Sequence, residues 1–193
     1  MKNIALYFVL GTLIFTSCNS DDDSTPLPNT GVPDGVGNVV INEVNYGDDN
    51  LIELLNNGDA SINLASYWLC LGPGRYLNIG STTPVSGSIE LGAGEFLVIN
   101  WSQLRDSEGL GLYSTDSFTS SDAIVDFVQW AAGGSARENV AVAAGIWTAG
   151  DFVEAVTTTT ASISFDGNGN TASNWSETTS TSFGNPNVIP PNL

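Results

Sequence analysis

Val39-Val40-Ile41-Asn42-Glu43-Val44-Asn45-Tyr46, Gly47-Asp48-Asp49-Asn50 and Leu51-Ile52-Glu53-Leu54-Leu55 read as strand, turn and strand. Both runs are rich in β-branched and aliphatic residues, and the block between them holds Gly, Asp and Asn, which supply turn geometry. The second run ends at Asn56-Asn57-Gly58-Asp59, whose Asn-Gly pair is a strong turn signal. The same reading places strands over residues 62–71, 75–79, 88–91, 95–101, 111–113, 123–130, 152–156 and 162–165. Many short strands separated by Gly- and Pro-bearing turns predict an all-β fold, a β-sandwich. Residues 131–148 carry the weakest pattern and read as a long loop with one short helical turn.

The chain ahead of this region has a different character. Lys2 and an apolar run from Ile4 to Phe15 lead into Thr16-Ser17-Cys18. A charged start, a short apolar region and small residues before a cut compose a secretory signal. The run falls short of the ~20 residues of a comfortable membrane span, so cleavage is favoured over an uncleaved anchor. Phe15-Thr16-Ser17-Cys18 resembles the lipobox of bacterial lipoproteins, in which the Cys is acylated and becomes the first mature residue. That resemblance implies a signal peptide over 1–17 and membrane attachment through lipid on Cys18. Asn19-Ser20-Asp21-Asp22-Asp23 follows; it resembles the export signal for the outer face of the outer membrane in some Gram-negative bacteria. The alternative is a solvated acidic linker. Residues 24–37 hold Pro and Gly without apolar periodicity, which completes a tether over 18–37. Residues 38–193 form one domain, long enough to bury about two thirds of its unfolded surface.

Composition narrows the function. There are 4 Lys+Arg against 21 Asp+Glu and no His, for a net charge of −17. Removal of Lys2 with the signal leaves Arg75, Arg105 and Arg137 as the cationic side chains. Nucleic-acid binding draws its affinity from neutralising phosphates, so no nucleic-acid partner is expected, and an acidic polysaccharide would be repelled too. Divalent cations are the natural counter-partners of such a surface, while acidity that serves solubility alone is the plainer reading. With Cys18 acylated, Cys70 has no disulfide partner.

Several segments carry a resemblance in their order along the chain. Val40-Ile41-Asn42-Glu43-Val44, Leu51-Ile52-Glu53-Leu54-Leu55-Asn56-Asn57 and Ile62-Asn63-Leu64-Ala65-Ser66-Tyr67-Trp68-Leu69 resemble the lamin-tail domain family. Leu91-Gly92-Ala93-Gly94-Glu95-Phe96-Leu97-Val98-Ile99 and Ala123-Ile124-Val125-Asp126-Phe127-Val128-Gln129-Trp130 resemble its later strands. The closing segment, from Ser162-Ile163-Ser164-Phe165 through Asn174-Trp175 to Gly184-Asn185-Pro186-Asn187, is similar to that of secreted bacterial members. It departs where an Arg commonly follows the Ser-hydrophobic pair, and Ser182-Phe183-Gly184 stands where Thr-Pro-Gly is common. The resemblance implies an immunoglobulin-like sandwich without an inter-sheet disulfide, with Trp68 in the core. Cys70 shares the strand face of Trp68 and reads as a buried thiol.

The residues offer little to an enzyme. Without His or Lys the mature chain lacks the commonest general base and the usual Schiff-base amine. No zinc site can be built from Cys70 alone. Glu43 and Glu53 are the obvious carboxylate pair for a hydrolase, but a four-residue loop over 47–50 sets Glu53 opposite Val44 and puts the two glutamates on opposite faces. Asp166, Asn168, Asn170 and Glu177 fall at positions one, three, five and twelve of a calcium-loop spacing. Thr171 occupies the position that wants Gly, and Asp-Gly and Asn-Gly are also plain hairpin vocabulary. Ca²⁺ is thus the one cofactor in view. Trp101, Trp130, Trp147, Trp175, Tyr76 and Tyr113 are candidates for a sugar-stacking platform, against the commoner role of core residues. The expectation is a lipid-anchored, non-catalytic interaction or structural module on the outer membrane, facing outward, with a protein or polysaccharide partner. A carbohydrate-binding lipoprotein is the alternative, and a carboxylate-pair hydrolase comes third.

Overall fold

The computed structural model describes residues 39–188. The expected signal peptide, Cys18 and the expected tether lie outside the described residues. Strands run in the order β1 (Val39–Asn45), β2 (Leu51–Asn56), β3 (Ile62–Asn63), β4 (Trp68–Gly72), β5 (Arg75–Asn78), β6 (Glu90–Leu91), β7 (Phe96–Asn100), β8 (Glu108–Tyr113) and β9 (Ile124–Trp130). A short helix, α1 (Glu138–Ala143), then precedes β10 (Ser162–Phe165) and β11 (Trp175–Thr178). One sheet has the order β11-β10-β1-β2-β7, a second the order β5-β4-β8-β9, and β3 and β6 form a small two-stranded sheet; all named pairings are antiparallel. The fold is an all-β sandwich.

The period-2 alternation of the strands builds its core. Ile41 and Val44 of β1, Ile52 and Leu54 of β2, and Leu97 and Ile99 of β7 are buried from one sheet. Leu69 and Leu71 of β4, Leu110 and Leu112 of β8, and Val128 and Trp130 of β9 are buried from the other. Trp130 donates its indole N–H to the Arg105 carbonyl at 2.9 Å. It stacks on Tyr46 with ring centroids 5.0 Å apart. The Tyr46 hydroxyl in turn accepts the Val156 N–H at 2.7 Å, which fastens a loop to the end of β1.

Some elements differ from the sequence reading. The run over 62–71 breaks into β3 and β4, because Leu64 and Tyr67 form a turn between them (Tyr67 N–H to Leu64 carbonyl, 3.0 Å). The segment over 152–156 is no strand. Val153 alone makes an isolated parallel bridge to Trp130. β11 has no counterpart among the expected strands, since its polar sequence masks the alternation. β8 begins at Glu108 rather than at residue 111 because Gly109 hides the apolar pattern. That glycine answers to packing: a Cβ on it would lie 2.1 Å from Ser135 Oγ and 3.1 Å from Phe127 Cζ. The 131–148 loop does carry one short helical turn, α1. It is held by Gln129, whose amide donates to the Asp151 carbonyl and whose oxygen accepts the Ser135 N–H at 3.2 Å. Trp147 crosses the ring of Phe127 edge-on at 5.4 Å. Gly109→Ala should push Ser135 and this loop off the sheet and cost about 1–3 kcal/mol, read as a lower urea midpoint with an unchanged denaturant slope.

Candidate functional site

β1 pairs with β2 through Asn45↔Leu51, Val44↔Ile52 and Glu43↔Glu53, then shifts register to Ile41↔Leu54. Asn42 is the extra residue of a β-bulge, and the connecting loop has five residues, 46–50. The expected four-residue loop is therefore corrected. One more residue reverses the parity of the pairing, so Glu43 and Glu53 lie directly opposite each other on one face. The loop owes its length to Asn45, whose side-chain oxygen accepts the N–H groups of Gly47 and Asp49, each at 3.1 Å. Asn50 adopts the left-handed conformation (φ 53°) that an asparagine tolerates at a turn.

Both glutamates are fully buried. They sit on the face of β1 and β2 turned away from the core, beneath a strap formed by residues 182–187. Glu43 accepts both the N–H and the hydroxyl of Ser182, at 3.1 and 2.8 Å, and the hydroxyl of Ser162 on β10. Glu53 accepts the Asn42 side-chain amide at 2.7 Å and the Gly184 N–H. The strap makes a tight turn: Asn185 N–H donates to the Ser182 carbonyl at 2.8 Å, and Gly184 has φ +83°. Positive φ at the third residue marks a type II turn, in which Pro suits the second position. Here that position is Phe183, so the Ser-Phe-Gly departure noted in the sequence falls on the turn that closes the site. Asn187 completes the seal, donating its amide to the carbonyls of Asn42 and Phe165, both at 2.9 Å.

A third carboxylate serves the same bulge. β10 pairs with β1 at Glu43 and Val44, and Ile41 N–H finds its partner in Asp126 Oδ2 of β9 at 2.6 Å. Asp126 Oδ1 also accepts the Phe127 N–H at 2.8 Å. Burial pushes the Asp126 carboxyl up to about 7, against the pull of these two N–H groups. Burial likewise raises Glu53 to about 7; the Gly184 and Asn42 donors oppose the rise and the charge of Glu43 adds to it. Ser162, Ser182 and Gly184 carry no motif that names them as partners of a glutamate. Only the departure at Ser182-Phe183-Gly184 pointed to this segment.

The other candidates separate. Asp166 lies in the turn after β10 and accepts the Asn168 N–H at 2.7 Å. Asn170 donates its amide to the Gly145 carbonyl at 3.0 Å, and Glu177 on β11 accepts the N–H and hydroxyl of Thr157 at 2.8 and 2.6 Å. The structure joins Asp166 to Asn168 and ties Asn170 and Glu177 to other parts of the chain. Among the described residues no three His, Cys, Asp or Glu side chains gather in a metal-binding group. Trp101, Trp130, Trp147, Trp175 and Tyr113 are buried, which leaves Tyr76 as the exposed aromatic of the proposed platform, at 38%. Its ring stacks on Phe118 at 4.0 Å and its hydroxyl accepts a guanidinium N–H of Arg137 at 3.3 Å. Cys70 is a buried free thiol on the face of β4 opposite Leu69 and Leu71, and it accepts the Arg137 Nε–H at 3.5 Å. Trp68 is half-buried and packs edge-on to Phe118. Among the described residues no helix is long and apolar enough to cross a membrane. Compared with protein-family models, curated proteins and solved structures, the chain matches none.

Two measurements test the strap. A carboxyl held above its ordinary range keeps its proton in the folded state, so it contributes stability that is complete below the unfolded value near 4.5 and is lost as pH rises through about 7. Relief of the net negative charge on acidification acts in the same direction. Glu53→Gln should therefore flatten the rise of the thermal midpoint between pH 8 and pH 5 without abolishing it. Phe183→Pro should stabilise the chain by about 0.4–1 kcal/mol, read as a higher denaturation midpoint, because Phe183 N–H donates to nothing among the described residues and the turn accepts Pro there.

Proposed function

We propose that this chain is a lipid-anchored, non-catalytic interaction or structural module of the cell surface, an immunoglobulin-like sandwich of lamin-tail type held away from the outer membrane by its tether. The observation that carries this reading is the closure of the Glu43–Glu53 pair. Retaining glycoside hydrolysis needs two carboxyls about 5 Å apart across a cleft that admits the sugar. In this chain both carboxyls are in register, yet their oxygens are taken up by Ser162, Ser182, Gly184 and Asn42, and the strap covers them. The pair thus fastens the closing segment rather than facing a substrate. The lipobox-like Phe15-Thr16-Ser17-Cys18 supplies the anchor, and the acidic residues 21–23 support outward display.

A carbohydrate-binding lipoprotein is the second reading, and one observation favours it. Tyr76 presents an exposed ring, stacked on Phe118 and steadied by Arg137, which is a small version of the aromatic surface that sugars stack upon. Glycan-array binding that disappears in Tyr76→Ala would move the assignment to it.

The anchor is tested by expressing the full chain in a Gram-negative host and separating detergent-rich from aqueous phases. The wild-type chain should incorporate labelled fatty acid and enter the detergent phase. Cys18→Ser should do neither. A wild-type chain recovered unlabelled in the aqueous phase would defeat the reading.

A further inference from the structure

The two sheets leave a slot along one side of the sandwich, between β11 and the extended segment around Val153. It has a volume of about 310 Å³ and is lined by residues 151–155 on one wall and by Ala172, Ser173 and residues 175–177 on the other. One wall is an extended segment and the other the edge of β11, and each has backbone groups to spare. On the first, Val153 gives its N–H to Gln129 (2.9 Å) and its carbonyl to the Ala131 N–H (2.8 Å), which ties it to the edge of β9. Alternation then turns the amides and carbonyls of Phe152 and Glu154 the other way, and they have no backbone partner among the described residues. On the second wall, Asp166 N–H donates to the Asn174 carbonyl, which fixes the phase of the β10–β11 ladder. Ser176 and Thr178 face β10 in that phase, and Trp175 and Glu177 face outward. Trp175 N–H is spent on the Ala172 carbonyl, whereas the Trp175 carbonyl and both backbone groups of Glu177 have no backbone partner among the described residues.

An open edge is a template for another strand, and here the edge of β11 faces an extended segment across one slot. A single extended segment would pair with β11 and continue the five-stranded sheet toward β9. The side chains state what kind of segment fits. Asp151, Glu154 and Glu177 line the slot; Asp151 accepts the Ala172 N–H across one end at 3.0 Å and Glu177 accepts from Thr157, while the ion pair found among the described residues, Arg75–Glu108, lies elsewhere and leaves all three without a cationic partner. Glu154 is exposed, and Trp175 offers its mostly buried indole as an apolar surface. We propose that this slot binds an extended, Lys- or Arg-bearing peptide segment of a partner protein as an added β-strand. Backbone pairing to β11 supplies the affinity, and the three carboxylates supply the choice of a basic partner. The proposal rests on the interaction-module reading above and gives that module a docking site.

The test uses the full chain and three capped hexapeptides: Lys-Val-Lys-Val-Lys-Val, its Glu-Val counterpart, and the Lys-Val peptide N-methylated at alternate residues so that one edge lacks N–H donors. Amide exchange is followed by NMR. Saturating Lys-Val peptide should slow exchange of the Glu177 amide by about tenfold or more, and the Glu-Val and N-methylated peptides should not. Glu154→Lys, a change at an exposed side chain, should weaken the Lys-Val peptide by about three- to tenfold. Equal binding of the Glu-Val peptide, tight binding of the N-methylated peptide, or binding that leaves Glu177 exchange unchanged would each overturn the proposal. Those failures concern the slot alone. Failure of the anchored-module reading shows separately, in the phase partition of the Cys18→Ser comparison.

Discussion

One inserted residue, Asn42, governs the polar architecture of this sandwich. The five-residue loop sets Glu43 opposite Glu53, and the bulge just beyond that pair returns Ile41 to the core face that Val44 occupies. Near the bulge, the Ile41 amide and the Asn42 carbonyl find partners outside the strand ladder. Buried backbone groups must find partners, and they do so in Asp126 of the facing sheet and Asn187 of the closing segment. One polar tie between the sheets and one tie to the C-terminal segment thus trace to a single irregularity in the first strand.

Two carboxylates side by side in a buried place are costly, because each loses its water and each repels the other. The chain offsets that cost with donors from distant parts of its own sequence. Ser162, Ser182 and Gly184 lie more than a hundred residues beyond the glutamates they serve. None of the residues in the strap is buried, so its attachment depends chiefly on these polar contacts. This gives the glutamates a physical role that needs no chemistry: they are the fastening points of the segment that covers them.

The strands with alternating apolar residues could be read directly, as β1, β2, β7 and β9 show. Where glycine fills one face of a strand the reading was partial, as in β8, and where the residues are mostly polar it failed, as in β11. The candidate site divided in the same way. Glu43 and Glu53 were visible as a pair of acids, but their relation turned on a loop longer by one residue, held by local hydrogen bonds of Asn45. Asp126 was seen as part of a strand pattern, with nothing to mark it as the acceptor for a strand in the other sheet. The aromatic residues could be counted but not sorted, since burial is a property of what packs over a ring; only Tyr76 kept an exposed face among the six considered.

By itself the sequence determined the class of fold, the absence of histidine and the acidity that disfavours nucleic acid. It also carried the signal-like start ending at Cys18. Composition and short-range periodicity suffice for these, because each is a property of neighbouring residues. Only the tertiary structure decided that the two glutamates meet, that the chain's own closing turn occupies them, and that an extended segment faces the edge of β11 across an acidic slot. Each of these depends on parity and on contacts between segments far apart in the chain. A shift of one residue reverses every face of a strand while leaving its composition unchanged.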